Sequence, residues 1–285
     1  MPRVGIVTDT VACLTQEDIQ KYDIQVVPIL LHINGRLYHD MTDITPEEFW
    51  KTASDVKEFS TAAPAPADFI KAFDKLGRTT DSIACTFVSK ALSATWESAV
   101  QARDLFVKDH PEIKVEIIDS RTASGAEGFI VLEMARAAEA GKNLSEVLQV
   151  AQDMIPRVRY VTALDTLKHL IKIGRAPKTA YMGELFQVKP IIGMVNNTGE
   201  VENIGRARGT DKAMQKMVEL MEPYIDPGKP VHINVHYSSS PENGELLKTM
   251  VVEKYKPVEL YYTPFSPVMG GAVGPVLSVS FYSEK

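Results

Sequence analysis

Short apolar runs alternate with amphipathic segments along the first 150 residues of the chain. Apolar runs of four to ten residues bounded by turn residues are typical of buried strands, and a 3.6-residue spacing is typical of helices. The predicted strands cover residues 4–8, 24–33, 83–88 and 115–118. The predicted helices cover residues 14–22, 67–76, 96–105 and 122–140. This alternation predicts a parallel sheet with helices on both faces.

The pattern changes after residue 157. Apolar runs at 190–195 and 201–206 flank the turn residues 196–200, which predicts a β-hairpin. Further strands are predicted at 160–163, 231–236, 258–262 and 276–281, and further helices at 164–171, 210–224 and 241–253. We therefore predict an α/β protein of two domains, a Rossmann-like parallel-sheet domain (1–160) and a mixed α/β domain (161–285).

Turn and cap residues refine these boundaries. Thr45, Pro46 and Glu48 form the pattern of a capping box at the start of another helix. Asn34 and Gly35 predict a tight turn after the second strand. Residues 60–66, which are rich in proline and alanine, are interpreted as a loop.

Composition excludes several classes of protein. The formal net charge is −6 and basic residues are not clustered, so nucleic-acid binding is not expected. Cys13 and Cys85 are predicted to be free thiols of a reducing compartment. The N-terminal segment lacks the apolar region of a signal peptide, and no apolar run approaches the ~18 residues that a membrane span needs. We expect a cytoplasmic protein without stable membrane insertion.

Common cofactor and catalytic motifs do not occur. The dinucleotide fingerprint, the phosphate-binding P-loop and the G-x-S-x-G nucleophile motif are all missing. His232 and His236 share one face of a predicted strand, but no further ligands stand at metal-binding spacing near them. We therefore expect neither a metal nor a cofactor.

The turn that contains Ser93 and Thr95 is the first candidate binding site. It joins the strand at 83–88 to a helix, so both hydroxyls stand beside free N–H groups at the positive end of the helix dipole, where an anion can bind. The alternative interpretation is that one of them only caps the helix. Asp9, Asp119 and Ser120 also follow strands, and for them capping or turn formation competes with ligand binding.

Three more positions carry candidate chemistry. Thr61 lies in the predicted loop, Arg175 follows a helix-ending glycine, and Arg208 alternates with Arg206 at a strand end. The arginines are candidates for contact with a phosphate or a partner protein. The alternative for both is a solvated surface side chain.

Taken in order, several short stretches resemble the DegV family of bacterial fatty-acid-binding proteins. The resemblance runs from about residue 4 to residue 282, within a domain predicted at about 3–283. It is carried by Val4–Thr10, Thr61–Pro64, Asp68-Phe69, Leu92–Trp96, Ser98-Ala99, Ile118–Ser120, Leu167, Leu170, Gly174-Arg175, Lys189–Ile191, Arg206–Gly209 and Gly274-Pro275.

The resemblance implies a binding protein rather than an enzyme. Members hold one long-chain fatty acid between two α/β domains, and their carboxylate-binding hydroxyls correspond by motif position to Thr61 and Ser93, with Thr95 next to them. Some members present the fatty acid to a separate fatty acid kinase, whose acyl phosphate product enters phospholipid synthesis. The resemblance thus implies a palmitate-like ligand and possible partnership with a kinase catalytic subunit.

This sequence departs from the family pattern at the site. Ala62 replaces the serine after the loop threonine, Ala94 replaces a glycine, and Val276 replaces the last glycine of the terminal motif. Ala272 stands where kinase-linked members often have a histidine that is associated with the ligand carboxylate. These departures bear more on the kinase partnership than on lipid binding.

Two other functions compete with the carrier. One is an enzyme that acts on a phosphorylated or acyl substrate through Arg175, Arg208 and Asp119, although no nucleophile and base pair is evident. The other is a regulatory module that senses lipid and binds another protein.

For the carrier, the predicted tunnel-lining residues are Ile29, Leu31, Phe129, Leu164, Leu167, Ile191, Ile192, Phe265 and Met269.

Overall fold

The computed structural model describes residues 4–177 and 188–284. The strands are β1 (Gly5–Asp9), β2 (Gln25–Val27), β3 (Leu30–Ile33), β4 (Arg36–His39), β5 (Phe59–Ala62), β6 (Ser82–Phe87), β7 (Lys114–Asp119), β8 (Arg159–Leu164), β9 (Val188–Met194), β10 (Val201–Arg208), β11 (Val231–Tyr237), β12 (Glu259–Pro264) and β13 (Val276–Ser283). The helices are α1 (Gln16–Tyr22), α2 (Pro46–Thr52), α3 (Pro66–Gly77), α4 (Thr95–Asp109), α5 (Ser124–Glu139), α6 (Leu144–Met154), α7 (Lys168–Lys172), α8 (Thr210–Met221), α9 (Pro241–Tyr255) and α10 (Pro267–Val273).

A parallel sheet of strand order β2-β1-β6-β7 forms the first layer. Helices α3 and α4 cover one face, where Phe69, Phe73, Phe87 and Phe106 are buried together. Helices α5 and α6 cover the other face. The central strands β1 and β6 are buried on both sides, which explains their short continuous apolar runs. The predicted parallel sheet with two helical layers is confirmed.

The prediction of one strand over 24–33 is wrong. The chain breaks at Pro28, which has no N–H for a ladder, and the two pieces join different sheets. β2 extends the parallel sheet, whereas β3 lies at the centre of a three-stranded antiparallel sheet of order β4-β3-β5. Asn34 and Gly35, both at positive φ, form the predicted turn between β3 and β4.

The interpretation of residues 60–66 as a loop is also partly wrong. Residues 59–62 form β5, in which Thr61 pairs with Leu31 of β3. Pro64 and Pro66 lie beyond the strand, so the loop begins only at Ala63, where the chain no longer needs ladder N–H groups. Thr61 is therefore fixed on a strand.

A second, six-stranded sheet has the order β10-β9-β8-β13-β11-β12. Its neighbouring strands are antiparallel except β11 and β12, and β9 with β10 forms the predicted hairpin. Helices α8 and α9 pack on one face over an apolar core that includes Met217, Ile233 and Phe281. The prediction of a mixed second layer is confirmed.

Helix α5 lies between the two sheets. It contacts β1 and β6 of the parallel sheet on one side and β8, β11 and β13 of the mixed sheet on the other. A Cβ on Gly128 would stand 2.6 Å from the carbonyl oxygen of Ala12, so only glycine allows α5 to approach the chain after β1 this closely. The backbone N–H of Gly125 donates to Nε2 of His236 on β11 at 3.1 Å.

Two helices were not predicted. α6 begins at Asn143, whose side chain forms a capping box with Glu146, a signal that the sequence contains. α10 carries two glycines, and a Cβ on Gly271 would stand 2.0 Å from the ring of Phe59 on β5. Close packing on β5, rather than local helix propensity, therefore places α10 in the fold.

The largest apolar core contains residues from both sides of the predicted domain boundary at residue 160. It includes Ile6 and Phe129 from the first half and Ile192 and Tyr282 from the second half. The division into domains 1–160 and 161–285 stays a prediction. Among the described helices, none has the length and apolar character to cross a membrane.

Candidate ligand-binding cleft

A cleft opens where the carboxyl ends of the parallel strands face the mixed sheet and α10. It encloses about 720 Å³ of space when its open mouth is included. The described residues that line it are mostly apolar. The apolar ones are Val11, Ile29, Val88, Leu92, Ala123, Leu170, Ile173, Ile192, Met194, Val201, Val268, Met269, Ala272 and Val273, and the polar ones are Thr61, Ser93, Tyr160 and Arg175.

The polar lining residues lie at two depths, three at the mouth of the cleft and one inside it. Thr61 and Arg175 are exposed and Ser93 is half-buried, so these three mark the mouth. Tyr160 is 5% exposed and lies inside. The cleft thus combines an apolar interior with hydroxyl and guanidinium donors at its entrance. The structure brings together Thr61, Ser93 and Arg175, which are 114 positions apart at most in the chain (61 to 175).

The Ser93 turn is held by Ser89. The carbonyl oxygen of Ser89 accepts the N–H groups of Leu92 at 2.8 Å and Ser93 at 3.2 Å. Its hydroxyl donates to the carbonyl of Gly199 in the β9–β10 hairpin at 2.9 Å. One fully buried serine therefore fixes the turn and ties it to the mixed sheet, a role that chain position alone does not reveal.

Ser93 and Thr95 form a hydroxyl pair at the start of α4. Their oxygens lie 2.8 Å apart, and the N–H of Thr95 donates to Ser93 Oγ at 3.3 Å. Ser93 therefore accepts the first N–H of α4, whose N-cap is Ala94, and also lines the cleft, whereas Thr95 is fully buried and is not a lining residue. The first N–H groups of α4 lack intrahelical acceptors, which suits this end of the helix to an anion.

The two candidate arginines occupy different places. Arg175 Nε donates to the carbonyl oxygen of Leu92, so its guanidinium lies over the Ser93 turn. Arg208 is exposed at the end of β10, opposite Val188, and does not line the cleft. The structure therefore places Arg175, but not Arg208, beside the predicted carboxylate seat.

Asp9 holds two walls of the cleft. Its carboxylate accepts the N–H of Val11 at 2.8 Å and that of Val88 at 3.0 Å, and both valines line the cleft. Complete burial raises the pKa of Asp9 to about 6, although these two hydrogen bonds act in the opposite direction. Asp9 caps its turn, as one of the two interpretations predicts, and also links β1 to the chain after β6.

Asp40 holds the opposite wall. Its Oδ1 accepts the N–H of Val268 in α10 at 3.0 Å, and its own N–H donates to the carbonyl of Ile29 at 2.9 Å. Val268 and Ile29 both line the cleft. Burial raises the pKa of Asp40 to about 7, against the lowering effect of hydrogen bonds that include one from Thr10. Nothing in the local sequence around Asp40 signals this contact across 228 residues.

Replacing Asp40 with asparagine is expected to make the free energy of unfolding less sensitive to rising pH. The carboxyl has a raised pKa in the folded state, so its protonated form favours folding, and that contribution is lost as pH rises from about 4 to about 7. Asparagine keeps an acceptor for Val268. The stability of Asp40→Asn relative to the wild type should therefore rise by about 1–3 kcal/mol between pH 5 and pH 8 in urea unfolding. A constant difference across this range would contradict the assignment.

Not every predicted lining residue faces the cleft. Ile29, Ile192 and Met269 do so. The remaining predicted residues belong to the cores or pack against them: Leu31, Phe129, Leu164, Leu167, Ile191 and Phe265. Ile191 shows the reason, because successive strand residues point to opposite faces and its neighbour Ile192 takes the cleft side. The lining residues Tyr160 and Val201 were not predicted.

Asp119 has a structural role in the loops beside the cleft. Its Oδ1 accepts the N–H of Lys90 at 3.2 Å and that of Arg121 at 3.1 Å. It does not cap α5, whose N-cap is Ala123. Ser120 also stays in its own turn, where its hydroxyl donates to the carbonyl of Thr122 at 3.2 Å.

His232 and His236 share the face of β11 that packs toward α5, but they have separate partners. His236 is fully buried, and burial lowers its pKa to about 3, so its ring is neutral and Nε2 accepts from Gly125. His232 lies between Glu259 and Glu284. Within residues 4–177 and 188–284, no three histidine, cysteine or acidic side chains are grouped as metal ligands.

Known proteins are similar to this chain along almost its whole length. The model of the DegV family, described as uncharacterised protein, matches residues 3–284. A DegV domain-containing protein of Caldanaerobacter subterraneus subsp. tengcongensis is 33% identical over 223 residues, which cover 78% of each protein. A relative from Streptococcus pyogenes serotype M1 is 29% identical over 273 residues, which cover 95% of this chain and 94% of the relative.

Solved structures share the fold. A DegV family protein from Thermus thermophilus, described for its fatty acid binding, has a TM-score of 0.90 at 26% identity, covering 99% of this chain and 100% of that protein. DegV of Bacillus subtilis, described as a fatty acid binding protein, has a TM-score of 0.89 at 23% identity, with both chains fully covered. The family match and these relatives establish that the chain belongs to the DegV family.

Proposed function

We propose that this protein is a carrier that binds one long-chain, palmitate-like fatty acid in the cleft, with the carboxylate at Thr61 and Ser93. The observation that supports this most is the cleft itself, whose apolar interior opens at a mouth that bears two hydroxyls and the start of α4. The fatty acid binding described for the Thermus thermophilus and Bacillus subtilis proteins of the same fold supports the same ligand class.

The physical terms favour an alkyl chain as ligand. Burial of methylene groups contributes about 0.8 kcal/mol each, so a chain of about fourteen contributes about 11 kcal/mol at most, before the cost of ordering the chain. A carboxylate taken from water needs charge-assisted hydrogen bonds, which Ser93, Thr61 and the free N–H groups of α4 can donate. The apolar interior therefore supplies affinity, and the mouth fixes orientation.

Mass spectrometry of the purified protein tests this proposal. The native mass should exceed the mass of the chain by one fatty acid, and organic extraction should release that acid at close to one per chain. A protein that is purified without lipid and also takes up no added palmitate would contradict the carrier function. Turnover of an acyl or phosphorylated substrate without any partner would favour an enzyme instead.

We further propose that the carrier presents its fatty acid to a fatty acid kinase. Arg175 supports this, because it is exposed beside the carboxylate seat, where its Nε donates to the carbonyl oxygen of Leu92 and its Nη1 to that of Ile173 at 3.2 Å. Ala272 lines the cleft where kinase-linked members often carry histidine, so any kinase that uses this protein must accept a carboxylate that lacks this imidazole.

Arg175→Ala is expected to leave fatty acid binding within about twofold and to lower acyl phosphate formation about tenfold. The loss corresponds to one or more charge-assisted hydrogen bonds to the transferring phosphate or its donor. Binding would be measured by calorimetry and phosphorylation with a kinase that accepts the wild-type protein. Arg78→Ala, an exposed arginine after α3, is the control. Normal phosphorylation of the Arg175 variant would contradict the role.

A further inference from the structure

The turn that carries Ser93 is joined to the β9–β10 hairpin by the side chain of Ser89. The hydroxyl of Ser89 donates to the carbonyl oxygen of Gly199 at 2.9 Å and accepts the N–H of Ala91 at 3.2 Å. Ser89 is fully buried and does not line the cleft, so it is not placed to contact a ligand. Its hydrogen bonds can therefore affect a ligand only through the position of the turn.

The hairpin and the turn approach each other closely at this bond. Gly199 has a φ of +70°, a left-handed conformation that favours glycine. A Cβ added to it would lie 2.1 Å from Ser89 Oγ and 3.0 Å from Arg121 Cα. Only glycine therefore lets the hairpin come within hydrogen-bonding distance of Ser89, and the bond is built into the packing of the two segments.

The same hairpin forms part of the apolar wall of the cleft. Met194 and Val201 pair with each other across β9 and β10, and both line the cleft. Between them, the N–H of Val195 donates to the carbonyl of Glu200 at 2.9 Å, and the N–H of Gly199 donates to the carbonyl of Val195 at 2.7 Å. These bonds fix Gly199 relative to the wall. A short run of hydrogen bonds thus joins the wall that an alkyl chain would contact to the turn that contains Ser93.

The position of this turn matters most for a charged head group at Thr61 and Ser93. A carboxylate needs several donors that converge on it, and such donors are held in place by the hydrogen bonds of the residues behind them. The carbonyl oxygen of Ser89 accepts the N–H groups of Leu92 and Ser93, so a shift of Ser89 would move the donors at the start of α4 as well. An alcohol needs one hydrogen bond and can rotate to find it, so it tolerates such a shift.

We propose that Ser89 is the positioning residue of the carboxylate seat, and that its hydrogen bond to Gly199 couples the seat to the β9–β10 wall of the cleft. This inference rests on the proposed function and deepens it, because it names what lets the cleft distinguish a fatty acid from an uncharged lipid of the same chain length. Loss of the Ser89 hydroxyl frees the turn from the hairpin, while Thr61, Ser93 and the first N–H groups of α4 all remain.

The test measures dissociation constants for palmitate and palmityl alcohol on the wild type, Ser89→Ala and Ser238→Ala. Ser238 is a matched control, since it is a buried serine that does not line the cleft. Its hydroxyl also donates to a backbone carbonyl and accepts a backbone N–H, both of Val276, at 3.1 Å and 2.7 Å. Both variants lose a buried hydroxyl with two hydrogen bonds, so a general loss of stability would affect them alike.

Ser89→Ala should weaken palmitate binding about tenfold and change the binding of palmityl alcohol by less than about twofold. Ser238→Ala should change both dissociation constants by less than about twofold. If the ratio of the two constants changes by less than about fivefold in Ser89→Ala, or shifts equally in Ser238→Ala, the inference is overturned and Ser89 is a structural residue only. Absence of palmitate binding in the wild type would instead refute the proposed function.

Hydrogen exchange of the wild type tests the coupling without any variant, and so decides the matter if Ser89→Ala does not fold. Palmitate should slow exchange more than palmityl alcohol does in peptides that cover residues 89–93 and also in those that cover 195–200. Both ligands bury the same alkyl chain, so the extra protection of the hairpin tip would come from the head group through Ser89. Equal protection of residues 195–200 by the two ligands would overturn the coupling.

Discussion

Replacing Gly128 with alanine is expected to lower the free energy of unfolding by about 1–3 kcal/mol. In an ordinary helix the same change raises stability by about 1 kcal/mol, so the sign is diagnostic. Here the added Cβ would stand 2.6 Å from the carbonyl oxygen of Ala12, a backbone atom that cannot rotate away. Either α5 or the turn after β1 must move, and overpacking of this kind typically costs 1–3 kcal/mol.

Urea unfolding of Gly128→Ala and Gly205→Ala would measure this effect. Gly205 in β10 is a suitable control, since a Cβ there would meet no heavy atom closer than Leu220 Cδ1 at 3.5 Å. The control should stay within about 0.5 kcal/mol of the wild type. A Gly128 variant as stable as the wild type would show that α5 does not pack against Ala12 this closely in solution.

Removing both mouth hydroxyls is expected to weaken palmitate binding about 100-fold without unfolding the protein. Hydrogen bonds to a charged group are worth about 1.5–3 kcal/mol each, and part of that is retained because the N–H groups of α4 remain. The double variant Thr61→Val, Ser93→Ala keeps the shape of the mouth and changes its donors. Each single variant should lie between the wild type and the double variant.

Titration calorimetry with palmitate and with palmityl alcohol separates the contribution of the carboxylate to binding from that of the alkyl chain. The alcohol lacks the carboxylate, so its affinity should change far less than that of palmitate in the double variant. Ser82→Ala, outside the cleft, is the control for loss of a serine hydroxyl. Unchanged palmitate affinity in the double variant would leave Ser93 with a capping role only.

The sequence predicts the regular parts of this fold because their signals are local. The capping box of Thr45 and Glu48 and the turn between β9 and β10 are formed as predicted, since each depends on residues within a few positions. The prediction of a single strand over 24–33 is wrong because the apolar run continues on both sides of Pro28. Only the folded sheets show that the residues before the proline pair with β1 and that those after it pair with β4 and β5.

The candidate cleft shows the same limit. Thr61, Ser93 and Arg175 stand in recognisable motifs, and the structure brings them to one mouth. Asp40 carries no such local signal. Asp40 contacts Val268, 228 positions away, and only the folded chain brings these two residues together.

The position of α5 between the sheets has a consequence for how the molecule comes apart. A helix buried on both sides by different halves of the chain cannot keep its environment when either half unfolds. We expect a single cooperative unfolding transition, and we expect fragments cut near residue 160 to be unstable unless they are mixed. A cleft between two such halves can widen by small movements of its walls, but its two sides should fold and unfold together.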